Sequence, residues 1–558
     1  MRYLSFFILI FFTVIITSCE EDPKIVYQRQ RSQWVDSIYT SLSTDQKIGQ
    51  LFMLGLTSSD PDSIVTKVIN QVHTYEVGGL CFLVGSPERQ VAITNEIQSK
   101  ATIPLLIALD AEWGAAMRFK SEEGFPWPMA MGALTSDTLV TRAAYKIGTE
   151  LKMTGVHMNF APVADININP NNPIIGNRSF GSHLDNVSQK AIAYAKGLRA
   201  ASVLSCAKHF PGHGDTDMDS HKTLPQLTFD RQRLDAIELY PYKTDLMNQV
   251  DAVMVAHLDI PSLTHQEGLP ASLSKRVVTD LLKTELNYQG LVITDALNMK
   301  GVTLIADQGA AELEAFKAGN DILLIPVAVQ KGIQKIKEAY QDSLISEQRL
   351  ANSVKKILAA KFDLGLNQPF KPLQIEKIRA HYNSKPNSLV RYLILENAIT
   401  YVSNTHKYEP IPPGTKTAFV QLGDQEGFRF KQEVLSKSAT FFDKKFLTKE
   451  NLAPYDALII GFHKDDSSPY KSYKFSEEEL KLLKELTQLD IDVYLNIFTS
   501  PYALKDIDFI DDFKAILVGY LNDDFVQRKM VEVLAGQLEP KGQLPITLPN
   551  LELSKNKL

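Results

Sequence analysis

Eight short apolar runs, at 51–56, 79–84, 105–109, 157–161, 203–207, 252–256, 291–294 and 322–325, recur along the first part of the chain. They are too short for buried helices and lack polar alternation, so each reads as a strand covered on both faces. Segments long enough for a crossover helix, such as 62–75 and 274–286, lie between them, which is the pattern of parallel βα units. Eight such units in about 300 residues predict an α/β fold built on a (β/α)8, or TIM, barrel rather than an open sheet. In that fold chemistry belongs at the C-terminal ends of the strands. Asp110 follows the third run, Asp165 and Arg178 the fourth, the segment 208–221 the fifth, His257 and Asp259 the sixth, and Asp295 ends the seventh. A doubly wound sheet would also gather polar groups at strand ends, so the clustering supports parallel strands more firmly than barrel closure.

The rest of the chain divides around this unit. Met1-Arg2 precedes an apolar run at 4–16 that ends in Ile16-Thr17-Ser18-Cys19, followed by Glu20, Glu21 and Asp22. That run is shorter than the ~20 residues of a membrane span, and its basic start and small-residue end predict a signal peptide over 1–18. It is similar to the leader of bacterial lipoproteins. The resemblance implies lipidation of Cys19 and a membrane-anchored protein of the cell envelope, facing the periplasm or the exterior. Residues 19–33 are polar and read as a tether, 34–366 as the barrel, and the Pro- and Lys-rich 367–387 as a linker. A smaller α/β/α sandwich is expected at 388–558, with strands at 418–422, 457–461, 493–497 and 515–518 and a supporting or substrate-rim part to play. The net charge of −6, with Lys and Arg scattered, argues against nucleic acid as a partner. Cys81 and Cys206 fall inside apolar runs and are expected as small core residues rather than a disulfide.

The segment KHFPGHGDTDMDSH at 208–221 concentrates titratable side chains that are not buried without partners. Within it Asp219 stands two residues from His221, so a carboxylate can orient and charge-stabilise an imidazole. Asp295 adds a strand-end carboxylate, although such a residue also serves often as a helix N-cap. A carboxylate nucleophile with a group that gives and takes a proton is the minimum for retaining glycoside hydrolysis. A metal site is the rival reading of His209, His213, Asp215, Asp217, Asp219 and His221. Their spacing matches no compact zinc or calcium signature, so no metal and no cofactor is expected.

The motifs Asp110-Ala111-Glu112, Asn159-Phe160-Ala161-Pro162-Val163-Ala164-Asp165, Asn177-Arg178-Ser179-Phe180-Gly181, the 208–221 loop and Thr294-Asp295-Ala296-Leu297-Asn298-Met299 resemble glycoside hydrolase family 3 in its bacterial β-N-acetylglucosaminidase branch. The resemblance covers about 44–366 and extends through the second domain. It implies that Asp295 is the nucleophile, His221 the acid/base and Asp219 its partner, with Asp110, Arg118, Arg178, Lys208 and His209 binding the sugar. His213 and Asp215 read as organisers of the loop. The pattern departs from the family at Trp113 and Ala115, where a glycine and an arginine are usual, and at Ala296, where a second aspartate is frequent. The implied activity is release of terminal N-acetylglucosamine from peptidoglycan fragments or chito-oligosaccharides through a covalent glycosyl-enzyme. A β-glucosidase or β-xylosidase of the same family and a non-catalytic glycan-binding lipoprotein are the alternatives. The sequence leaves oligomeric state open.

Overall fold

The computed structural model of the chain describes residues 21–119, 124–218, 223–303, 307, 309–383, 387–403, 407–549 and 551. Eight strands, β1 (Phe52–Leu56), β2 (Gly79–Phe82), β3 (Leu106–Leu109), β4 (Met158–Asn159), β5 (Leu204–Phe210), β6 (Ala252–Val255), β7 (Leu291–Thr294) and β8 (Leu323–Leu324), form one parallel sheet in sequential order. β8 pairs with β1 through Phe52 and Leu323, and the ring is completed beside β7 by a parallel bridge between Ile293 and Ile322. The residues of β2, β3, β6 and β7 are buried without alternation, as parallel strands sandwiched between barrel interior and outer helices require. The expected barrel is therefore present.

β5 differs from its expected extent. It runs to Phe210, so Lys208 and His209 stand on the strand itself and not in the loop after it. Its register against β6 shifts between Ala207 and Phe210. An irregularity of this kind re-aims side chains at the rim of a barrel.

Two expectations about the flanks are corrected. Residues expected as a tether are helical from Pro23, in a helix Pro23–Ser41 that packs on the helix Glu347–Asp363. Asp22 accepts from the Lys24 N–H at its start, and Arg31 and Tyr27 both reach Asp363, at 2.7 and 2.8 Å. The polar composition that suggested a tether is matched by partners distant in sequence. The expected linker likewise contains a helix, Ile375–Asn383, held near the helix Pro87–Lys100. The Asn95 side chain both donates to the Leu373 carbonyl and accepts from its N–H. The signal peptide and Cys19 lie outside the described residues.

The second domain has the strands β9 (Thr400–Val402), β10 (Thr417–Gly423), β11 (Thr440–Phe441), β12 (Ala457–His463), β13 (Asp492–Phe498) and β14 (Ala515–Val518), ordered β11-β10-β12-β13-β14-β9. All pairs are parallel except β14 with β9. The four central strands match the expected ones, while the short edges β9 and β11 were not anticipated. The C-terminal segment returns to the barrel, where the Pro545 carbonyl accepts from Ser182 N–H and Gln543 N–H donates to Ala133.

Candidate active site

Asp295 closes β7 and reaches the barrel mouth with its N–H on the Val255 carbonyl at 2.9 Å. Its carboxylate accepts from the next N–H, that of Ala296, at 2.8 Å. Burial alone would push this carboxyl up. The charges of His257 and His209, the Ala296 N–H and Lys208 outweigh it and hold Asp295 below the usual carboxylate range. His257 is fixed in turn, with Nδ1 2.6 Å from Ser272 Oγ and Nε2 3.1 Å from the Ala296 carbonyl.

Beside Asp295 a lattice of alternating charges links three strand ends. Lys208, on β5 and 2% exposed, donates to Asp110 at 2.7 Å and pairs with Glu112 at 2.8 Å. Arg118 takes the other Asp110 oxygen at 2.6 Å, and Arg178 grips Glu112 with two bonds of 2.7 and 2.9 Å. Burial opposes each charge, yet the opposite partners prevail. Asp110 and Glu112 are held low, and Lys208 and Arg178 are held high. Opposite charges thus favour the ionised form of these four groups and fix their side chains in place.

A second anchor organises the start of the 208–221 segment. Asp165, buried after β4, accepts from His209 Nδ1 at 2.7 Å, from the His209 N–H at 3.2 Å and from the His213 N–H at 2.7 Å. His213 stands edge-on to His209, with Nδ1 on Thr216 and Nε2 buried without a hydrogen bond. Burial, with His209 adding, pushes it down to about 4, so it is neutral. Asp215 pairs with Arg233, which also holds Glu238. Asp219 and His221 lie outside the described residues. The chain that returns from them is fastened at Gln226, whose amide donates to Asp259 at 3.0 Å.

The structure therefore unites Asp110, Arg118, Arg178 and Lys208 in one network and sets His209 and Lys208 within electrostatic reach of Asp295. It adds Glu112 and His257, which the sequence showed only as a motif member and as a polar strand-end residue. Trp113 is half-buried. Among the described residues no three His, Cys, Asp or Glu side chains are grouped to hold a metal ion.

The profile of the glycosyl hydrolase family 3 N-terminal domain matches residues 43–360. The chain belongs to glycosyl hydrolase family 3. Its (β/α)8 unit is that family's N-terminal domain. Beta-hexosaminidase A of Pseudoalteromonas piscicida is 32% identical over 368 residues, covering 58% of this chain and 62% of that relative. The match thus spans about three fifths of the curated relative's length. A solved family 3 β-N-acetylglucosaminidase from Paenibacillus sp. FPU-7 is 27% identical with a TM-score of 0.69, covering 91% of this chain and 99% of that one. The structure of Mycobacterium tuberculosis LpqI, 31% identical with a TM-score of 0.52, covers 58% of this chain and 95% of its own. Much of this family 3 chain has no counterpart there.

One further feature ties the second domain to the site. The loop after β4 that carries Arg178 is held from the second domain. Asn167 donates to the Tyr502 hydroxyl at 2.9 Å and accepts it on its carbonyl, Lys505 donates to Asn171 at 2.6 Å, and the Tyr473 hydroxyl bonds the Pro170 carbonyl. Asn167 Oδ1 also accepts from the Gly176 N–H, at the turn Gly176–Arg178.

Proposed function

We propose that the chain is a retaining exo-β-N-acetylglucosaminidase. The observation that supports this reading is the Asp295 carboxylate at the barrel mouth, held below the usual carboxylate range by its neighbours, beside the ion-pair lattice of Lys208, Asp110 and Glu112. Asp110 accepts from two ring hydroxyls, and Arg118, Arg178, Lys208 and His209 donate to oxygens of the same sugar. Asp295 attacks the anomeric carbon while His221, oriented by Asp219, protonates the leaving oxygen. Neutral His221 then takes a proton from water, which cleaves the glycosyl-enzyme with the β configuration retained. The substrates are muropeptides or chito-oligosaccharides with a terminal N-acetylglucosamine, the sugar named for the Paenibacillus relative. Cys19 carries the lipid that holds the enzyme on the envelope.

A panel of aryl glycosides tests the assignment. Release from the N-acetylglucosaminide, and not from the glucoside or xyloside, is the expected result. Release confined to glucoside or xyloside points to the other branch of the family, and no release from any leaves a glycan-binding lipoprotein. Cys19→Ser moves the protein from the membrane to the soluble fraction if the anchor is correct.

A further inference from the structure

At the opposite end of the barrel from Asp295, a cavity of about 1040 Å3 opens between the starts of β5–β8 and the helices Pro23–Ser41, Arg276–Glu285 and Glu347–Asp363. Most charges on its wall are matched. Arg31 pairs with Asp363 and Lys355 with Asp36, both at 2.7 Å, and Asp251 accepts from Ser205 and faces Arg199 at 3.7 Å. The exception surrounds Asp321. This buried carboxylate faces Lys283 at 3.0 Å, Lys356 at 3.8 Å and Arg349 at 3.9 Å, three cations against one acid.

Backbone carbonyls absorb part of the excess. Lys283 donates to Gly319 at 2.5 Å, and Arg349 to Phe316 and Asn320 at 2.8 and 2.6 Å, at the end of the helix Ala310–Ala318. A helix C-terminus supplies only about half a negative charge, so more than one positive charge stays unmatched. Donors are left over as well. Among the described residues Lys356 makes one hydrogen bond, to the Gly290 carbonyl at 3.0 Å, while Arg349 also donates to Ser353 Oγ and lies over the Phe316 ring, which leaves its Nε buried with no acceptor. Burial pushes the Lys283 ammonium down to about 8 against the pull of Asp321, and Lys356 and Arg349 deepen the fall. Leu204, Val250, Leu291 and Ala359 give the cavity an apolar wall beside these cations.

We propose that this cavity is a second binding site, which takes a small ligand bearing a phosphoryl dianion on Lys283, Lys356 and Arg349. Two ammonium groups and a guanidinium, Lys283 on one helix and Lys356 and Arg349 on another, suit the tetrahedral oxygens of a phosphoryl group. The volume exceeds what one such group fills, and the apolar wall receives the organic remainder, whether of a soluble phosphate ester or of a phospholipid.

Calorimetric titration of the full chain with inorganic phosphate, at constant ionic strength and near-neutral pH, tests the site. Wild-type protein is expected to bind phosphate and to gain Tm as its concentration rises. Lys356→Gln, at a partly exposed side chain the fold tolerates, weakens binding roughly tenfold, the loss of one charge-assisted hydrogen bond. The double variant with Lys283→Gln abolishes it, while Arg178→Gln at the barrel mouth leaves it unchanged. Absence of binding to the wild type overturns the proposal, as does binding that survives the double variant and is lost in Arg178→Gln. Sedimentation with phosphatidylcholine vesicles, with and without phosphatidic acid, separates the sources. Lys356-dependent capture by phosphatidic acid assigns a headgroup, and phosphate binding without capture assigns a soluble ester.

Discussion

At the scale of single residues, the account turns on Asp295 and on the charges that keep it ionised. Asp295→Ala is expected to lower turnover of an aryl N-acetylglucosaminide roughly 10³-fold or more with Tm little changed, because the side chain makes one local hydrogen bond. The pH profile follows from the same charges. Asp295 is held below its ordinary value, so it is already ionised through the mildly acidic range and its loss of activity falls at strongly acid pH. On the proposed mechanism the alkaline limb comes from His221, which works protonated, and an imidazole ordinarily titrates at about 6.5. kcat/KM is expected to fall above that region, and His221→Ala should erase the alkaline limb while sparing substrates with a good leaving group. An unchanged alkaline limb in that variant contradicts the role of His221. Glu112→Gln leaves the buried cations Lys208 and Arg178 short of one carboxylate, and a loss of about 3–5 kcal/mol in urea unfolding is expected, together with a raised KM. Glu112 stood in a motif visible in the sequence, yet nothing local shows that its side chain turns inward to bridge Lys208 and Arg178. His257 was visible only as a polar strand-end residue, for the same reason.

At the scale of elements, the barrel strands were legible because burial on both faces writes an unbroken apolar run into each. The apolar run ends at Ala207 because Lys208 and His209 are polar, whereas ion pairs of Lys208 with Asp110 and Glu112 and a hydrogen bond of His209 with Asp165 let the strand continue. The helices Pro23–Ser41 and Ile375–Asn383 were hidden for the same reason, since polar residues such as Arg31 and Arg379 find partners far away in the chain. The helix Glu347–Asp363 holds a further test. Lys361 is fully buried on it and donates to Gln50 at 2.7 Å, and burial pushes it down to about 7. Its folded pKa lies below its unfolded value near 10.5, so the unfolded chain binds more protons between those limits and stability rises with pH across them. The penalty is full below about 7 and vanishes above about 10.5. Lys361→Met is therefore expected to stabilise the protein by about 1–3 kcal/mol at neutral pH, with the gain shrinking as pH rises. A variant less stable than wild type at neutral pH contradicts this.

At the scale of the whole molecule, the second domain is a brace for the site. Its Tyr502 reaches Asn167, and Asn167 holds the turn that presents Arg178. Tyr502→Phe removes the hydroxyl and is expected to cost about 1 kcal/mol, seen as a severalfold rise in KM with kcat nearly unchanged. Equal falls in kcat with KM unchanged would instead place Tyr502 in the chemical step. This brace was not legible in the sequence, because it joins residues more than three hundred positions apart through hydrogen bonds that leave no periodic trace. The central claim, that Asp295 becomes covalently glycosylated, is tested most directly by intact-protein mass spectrometry after reaction with a 5-fluoro-N-acetylglucosaminyl fluoride, which slows release of the sugar from the enzyme. The account predicts one sugar adduct per chain, on the peptide that contains Asp295 and absent from Asp295→Ala. An adduct on another carboxylate, or turnover to the inverted product with no adduct, would contradict it.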